Sequence, residues 1–165
     1  MLYDKGILDY LELIEMSKNT NYEFYLAGER DHGNPQNITD GDMNRILGNK
    51  NLKYLEKLDV ETKLSNFDIS ITMSSHEGFS RILLESLYVG LYCLAYRIQG
   101  TEVMENFKNL ELIPLNNVNE FKKYIENFTG DIDNSYNMQL VEKNYTSEIV
   151  AFKFEKIYKE LGVSN

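Results

Sequence analysis

Tryptophan is absent from this 165-residue chain, cysteine occurs once, and proline and histidine occur twice each. Each shortage closes off a class of explanation. The lone Cys93 lies in the apolar run from Leu91 to Ala95, so it forms no internal disulfide and reads as a buried structural thiol rather than a nucleophile. That usage fits a reducing compartment. His32 and His76 are far apart and next to no cysteine, which makes no metal site. Cations are also scarce: 17 Lys and Arg face 26 Asp and Glu, for a net charge of −9. Such a balance offers no surface to nucleic acid or an anionic membrane. No apolar run approaches the roughly 18 residues of a membrane span, and no signal peptide is visible. Internal repeats and low-complexity tracts are missing as well.

What is present is globular. Hydrophobic residues make up 42% of the chain and charged ones 26%, enough for one domain with a sizeable core. Ile7, Leu8, Leu11, Ile14 and Met16 recur at helical spacing, and Asn21 to Ala27 then reads as a strand. Gly28 to Asp40 is a polar loop, and Asp40 caps a short helix through Leu47. Strands are expected at Asn51 to Leu55, Asp68 to Met73, Leu91 to Tyr96 and Leu110 to Pro114, with a short helix from Val60 to Phe67. Val118, Phe121, Ile125 and Phe128 make one apolar helical face, and Val150, Phe154, Ile157 and Leu161 make another. Gly130 to Ser135 is a surface connection, and nothing marks a second domain. Alternating strands and helices imply βαβ units, hence an α/β fold with a mostly parallel, Rossmann-like sheet covered by helices on both faces. Met1 to Lys5 leads straight into a helix with no preceding strand, which is expected of a chain that begins partway into a larger architecture.

The densest information runs from Ser74 to Gly90. It joins an apolar strand to a helix through a polar turn holding Glu77 and Gly78, at the edge of an open α/β sheet where ligands bind. A helix N-terminus there offers free N–H groups and a positive dipole end to phosphate. Glu77 precedes the helix and Glu85 lies inside it, so two carboxylates flank an anion site. A ligand carrying both phosphate and a hydroxyl-rich sugar fits that arrangement.

Glu77-Gly78-Phe79-Ser80-Arg81-Ile82-Leu83-Leu84-Glu85-Ser86 resembles the Glu-Gly-x-x-Arg-x-Leu-Leu-Glu-Ala segment of retaining GT-B glycosyltransferases of family 4 (glycosyl transferases group 1). That large family includes capsular-polysaccharide and O-antigen enzymes. Asp4-Lys5-Gly6-Ile7, Tyr25-Leu26-Ala27-Gly28, the Asn34-Pro35 loop, the turn from Asn51 to Asp59 and Gly100-Thr101-Glu102-Val103 resemble other family segments in the same order. The likeness runs from about residue 3 to residue 130, and it is to the C-terminal half of the GT-B fold.

The resemblance implies roles. Glu85 accepts hydrogen bonds from the ribose of a nucleotide sugar, and Glu77, grouped with Lys5 as catalytic, contacts hydroxyls of the donor sugar. Backbone N–H groups of Gly78, Phe79, Ser80 and Arg81 face the diphosphate, and Lys5 neutralises it as it leaves. His76 is a further candidate for ligand contact. These roles are chemically sound, since a carboxylate accepts two hydroxyl donors at once and fixed positive charge favours departure of an anion. The family needs no metal and no cofactor; the nucleotide sugar, most simply a UDP sugar, is a substrate. The acceptor, a glycan or lipid-linked glycan, sits in a separate N-terminal domain absent from this chain. The 165 residues alone are therefore expected to bind nucleotide and transfer nothing. The acidic charge suits a lobe facing the cytoplasm, with any attachment to the inner membrane face left to the absent half.

Plainer readings stand beside these. Lys5 and Arg81 could be ordinary surface cations, Glu85 a solvated helix residue, His76 a polar turn residue, and Tyr92 and Phe79 packing groups. The chain differs from the family where Tyr92 and Arg97 replace the usual Pro and Asp, at Glu56, which stands where Gly is common, and in its shortened Gly100 segment. Those differences keep open a degenerate, non-catalytic glycosyltransferase lobe. A regulatory receiver-like α/β module is a further alternative, against which Asp68 starts its strand instead of ending it.

Overall fold

The computed structural model describes residues 1–18 and 20–162. After a single 3-10 turn at Tyr3–Lys5 the order is α1 (Ile7–Met16), β1 (Phe24–Ala27), α2 (Asp40–Gly48), β2 (Leu52–Leu55), α3 (Val60–Lys63), β3 (Ile69–Thr72), α4 (Arg81–Val89), β4 (Tyr92–Tyr96), α5 (Gln99–Glu102), β5 (Leu110–Ile113), α6 (Val118–Glu126), α7 (Ser135–Asn144) and α8 (Ser147–Glu160). All pairings between these strands are parallel, β1 with β2 and β3 with β4 with β5. Within each set, parallel pairing brings the strands' C-terminal ends to one edge, and the turn after β3 opens at that edge of β3, β4 and β5.

Alternation along β4 sends its side chains to two cores. Leu94 and Tyr96 pack with α1 and α6 through Leu11, Ile14, Phe121 and Ile125. Cys93 and Ala95 face the other way, onto Leu83 and Leu87 of α4, Met104 and Phe107. Helices thus cover both faces, as the α/β pattern predicts. Burial pushes the Cys93 thiol well above its ordinary value, in keeping with a packing group.

Four expectations need correction. The cap of α2 is Thr39, whose side chain accepts from Asp42 N, and Asp40 is the first helical residue. The strand predicted from Asn21 begins at Phe24, because Asn21, Tyr22 and Glu23 are exposed and have no core to alternate against. The expected single sheet is divided: β1 and β3 are not hydrogen-bonded to each other. On the edge of β1 away from β2, the Tyr10 hydroxyl donates to the Tyr25 carbonyl at 2.8 Å, where a further strand's N–H would otherwise stand. The helix expected from Val60 to Phe67 tightens into a 3-10 turn at Leu64–Asn66. The expected C-terminal helical face is there, with Val150, Phe154 and Ile157 on α8 and Leu161 at its C-cap, though no residue of that helix is buried. α7 is an addition to the sequence reading. Its pivot is the fully buried Asn137, whose amide accepts from Lys108 N at 2.9 Å and donates to Lys108 O at 2.7 Å.

Candidate functional site

Two glycines bring the site together. Gly6 takes a left-handed φ of 73°, and a Cβ on it would stand 2.1 Å from the Met73 carbonyl oxygen. Only glycine allows so close an approach, and it lays the start of α1 directly against the end of β3. Across the turn, a Cβ on Gly100 would meet the Glu77 carbonyl oxygen at 2.0 Å. The turn after β3 is therefore clamped from both sides, and Ser75 N donates to Asp4 O at 2.8 Å as a third tie.

The clamp places Lys5 beside Glu77, 72 positions away in the chain, with Nζ 2.9 Å from Oε1. Their side chains are 41% and 20% exposed, so as an ion pair they contribute on the order of 1 kcal/mol or less. Stability is a weak reason for such a pair to be built. Ser74 Oγ donates to the same Oε1 at 3.0 Å, and Ser75 Oγ is hydrogen-bonded to His76 Nδ1 at 2.9 Å. Lys5, Ser75, His76, Glu77, Gly78, Ile98 and Gln99 together line a cavity of about 400 Å³. A Cβ on Gly78 would meet nothing within 4 Å, so that backbone borders open space.

Beyond the turn, α4 runs from Arg81 and ends where Gly90 turns left-handed with φ 90°. Ser80 stands at its N-cap, yet its side chain caps no N–H. The hydroxyl is buried, the residue being 2% exposed, and it has no hydrogen-bond partner. No carboxylate sits in the first turn of α4 to offset its positive dipole end. Uncapped amides, an orphaned hydroxyl and a nearby ammonium make this end of the helix receptive to an anion.

Of the residues singled out in the sequence, Lys5, His76, Glu77 and Gly78 share the cavity. Phe79, Ser80, Arg81 and Glu85 lie outside its lining. Phe79, 39% exposed, stacks on Tyr145 with ring centroids 5.7 Å apart, and Tyr92 stacks on Phe128 at 5.2 Å. Arg81 is largely exposed and reaches Glu85 across one helical turn at 3.5 Å. Sequence reasoning missed Ser74, Ser75, Ile98 and Gln99. Adjacency to the turn and to Gly100 was the available signal, but the clamp that makes adjacency matter is a tertiary contact. Among the described residues no group of three His, Cys, Asp or Glu stands close enough to hold a metal ion. Nor is any helix there long and apolar enough to cross a membrane.

A larger cavity, about 600 Å³, lies elsewhere, lined by Leu11, Glu15, Lys18, Arg45 and residues 48–51. Its Lys18, two residues past the end of α1, and its Arg45, on α2, are already paired with Glu15 and Asp42, each three positions back in the chain. Size alone does not mark the site. The smaller cavity has the convergent polar groups, and its Gly78 stands two residues before Ser80 at the uncapped start of α4.

The profile of the glycosyl transferases group 1 family matches residues 1–131. Among curated proteins none matches. Solved structures share the fold. Sucrose-phosphate synthase from Thermosynechococcus elongatus superposes with a TM-score of 0.80 at 17% identity, over 99% of this chain and 44% of its own. The pneumococcal O-GlcNAc transferase GtfA, in complex with UDP and GlcNAc, gives 0.73 at 19% identity over 98% of this chain and 34% of its own. A TarM variant from S. aureus, in complex with fondaparinux, alpha-GlcNAc-glycerol and UDP, gives 0.72 at 18% identity over 93% and 32%. This chain spans from just under a third to under a half of the length of those chains.

Proposed function

The chain belongs to the glycosyl transferases group 1 family, and from that premise we propose that it is the donor-binding lobe of a retaining glycosyltransferase. Its ligand is a nucleotide diphosphate sugar, a UDP sugar in the first instance. The sugar passes onto a glycan or lipid-linked glycan in surface or capsular polysaccharide synthesis on the cytoplasmic side. Transfer needs an acceptor-binding lobe across the cleft; this lobe alone holds the donor.

The observation that carries the reading is the Lys5–Glu77 pair set beside the uncapped start of α4. A carboxylate, an ammonium and free amides at one sheet edge match the two halves of the ligand: hydroxyls for the carboxylate, diphosphate for the cation and amides. In this reading Glu77 accepts from the donor sugar, and α4's first-turn amides hold the diphosphate with the Ser80 hydroxyl as an added donor. Lys5 offsets the charge that grows on the diphosphate as the glycosidic bond breaks. Glu85 accepts from the ribose once Arg81 swings aside, a small cost because that pair is exposed. Calorimetric titration with UDP, GDP and their sugars tests the proposal. Selective binding of one nucleotide, weakened in Glu85→Ala, is the expected result. Absence of binding by the folded chain, persisting when an acceptor lobe is supplied, overturns it in favour of a degenerate lobe.

A further inference from the structure

We infer that Ser74 is a positioning residue of the sugar pocket, setting which oxygen of Glu77 meets the ligand. The inference rests on the donor-lobe reading above and deepens it. Glu77 is fixed at its main chain, because its carbonyl packs against Gly100 where a Cβ would stand only 2.0 Å away. What remains free is the side chain, two methylenes long. Oε1 receives two donors, Ser74 Oγ at 3.0 Å and Lys5 Nζ at 2.9 Å. Among the described residues no donor reaches Oε2, so that oxygen is left for hydroxyl groups in the cavity.

The two donors to Oε1 differ in what they can do. Lys5 carries charge on a long stem that is 41% exposed. A flexible ammonium supplies attraction with little directional control. Ser74 is 4% exposed, just beyond the end of β3, with a hydroxyl on a single-carbon stem. A short buried donor has few rotamers and holds its acceptor in one direction. The serine therefore locates the carboxylate while the lysine balances it. Without the serine, Glu77 keeps its charge and its partner but loses its orientation. Contacts of the nucleotide moiety, which lie toward α4, are untouched.

The consequence is a separation between two probes, UDP and UDP-N-acetylglucosamine. With the full 165-residue chain, Ser74→Ala lowers affinity for UDP-N-acetylglucosamine about tenfold, the scale of a lost hydrogen bond to a charged group. Affinity for UDP itself shifts by less than about twofold, and the thermal midpoint is near that of the parent. Ser74→Thr, which keeps the hydroxyl, restores the sugar-dependent part. Glu77→Gln shifts the ratio of the two affinities in the same direction as Ser74→Ala. A ratio that moves in Glu77→Gln but not in Ser74→Ala overturns the role of Ser74 and leaves the donor-lobe reading intact. Equal weakening of both probes in Ser74→Ala also overturns it, since that is what a merely structural hydroxyl predicts. Loss in Ser74→Thr as large as in alanine, with an unchanged midpoint, does the same. A ratio unmoved in Glu77→Gln, or a parent chain that binds neither probe, overturns the reading of the pocket beneath the inference.

Discussion

The two cavities sit on the same domain and teach opposite lessons about charge. In the larger one, Lys18 and Arg45 are answered by acids three residues back in the chain. Those contacts are local in sequence and ask nothing of the tertiary fold. In the smaller one, Lys5 is answered by Glu77 from 72 positions away, and the contact exists only because Gly6 and Gly100 let three backbones touch. A polar contact worth so little in stability, yet held by two positions that tolerate nothing but glycine, is better explained by what it does than by what it stabilises.

The largest test breaks the clamp. Gly6→Ala forces a side chain into a left-handed backbone and onto Met73. Left-handed strain and overpacking together should cost about 3 kcal/mol, lowering the thermal midpoint by roughly 10 °C. Nucleotide-sugar binding should be lost with it, by calorimetry on whatever fraction stays folded. Next, Glu85→Ala should weaken UDP and its sugar alike by about tenfold, while the thermal midpoint hardly moves because its Arg81 contact is exposed.

A smaller effect belongs to the start of α2, whose Asp42 pairs with the larger cavity's Arg45. Asp42 closes a capping box with Thr39 and accepts from the Tyr3 hydroxyl at 2.6 Å. The Thr39 and Tyr3 donors hold its carboxyl below the ordinary value. The folded state therefore gives up this proton more readily than the unfolded chain, so the stabilisation is complete above the usual carboxylate range and is lost as pH falls through the lowered value. Asp42→Asn should cost about 1 kcal/mol near neutral pH, and thermal melts should show parent and variant converging in acid. Smallest of all, Arg45→Met should change stability by no more than about 0.5 kcal/mol and leave UDP binding as it was. A large loss of binding in Arg45→Met would erase the distinction between the cavities.

Much of the site was legible because its parts are local. Glu77, Gly78 and α4 lie within one strand–turn–helix, whose end at Gly90 follows from the need for a left-handed residue there. Lys5 could be named from its pairing with Gly6, but only the contact of Gly6 with Met73 explains why the two belong together. Ser74 carries no pattern of its own, being one serine among several in a polar turn. The division between β1 and β3 was hidden for a related reason. Each strand looks ordinary by composition, and which edges pair depends on what lies between them. α7 escaped because its key residue is a buried asparagine, a polar residue used as a bracket for the backbone at Lys108. In α8 the periodicity was read correctly as helical. Periodicity reports a face that can be buried, and in α8 that face is not.

The divided sheet also sets a clock within single strands. In a parallel edge strand, alternate amides point toward the neighbour and away from it. Those of β1 that face β2, and those of β3 that face β4, are locked in ladders and exchange with deuterium only when the strand pair opens. Their immediate neighbours on the free edges are not so locked. Residue-by-residue exchange along Phe24–Ala27 and Ile69–Thr72 should therefore run fast and slow in strict alternation. Along β4, bonded on both sides, it should be uniformly slow.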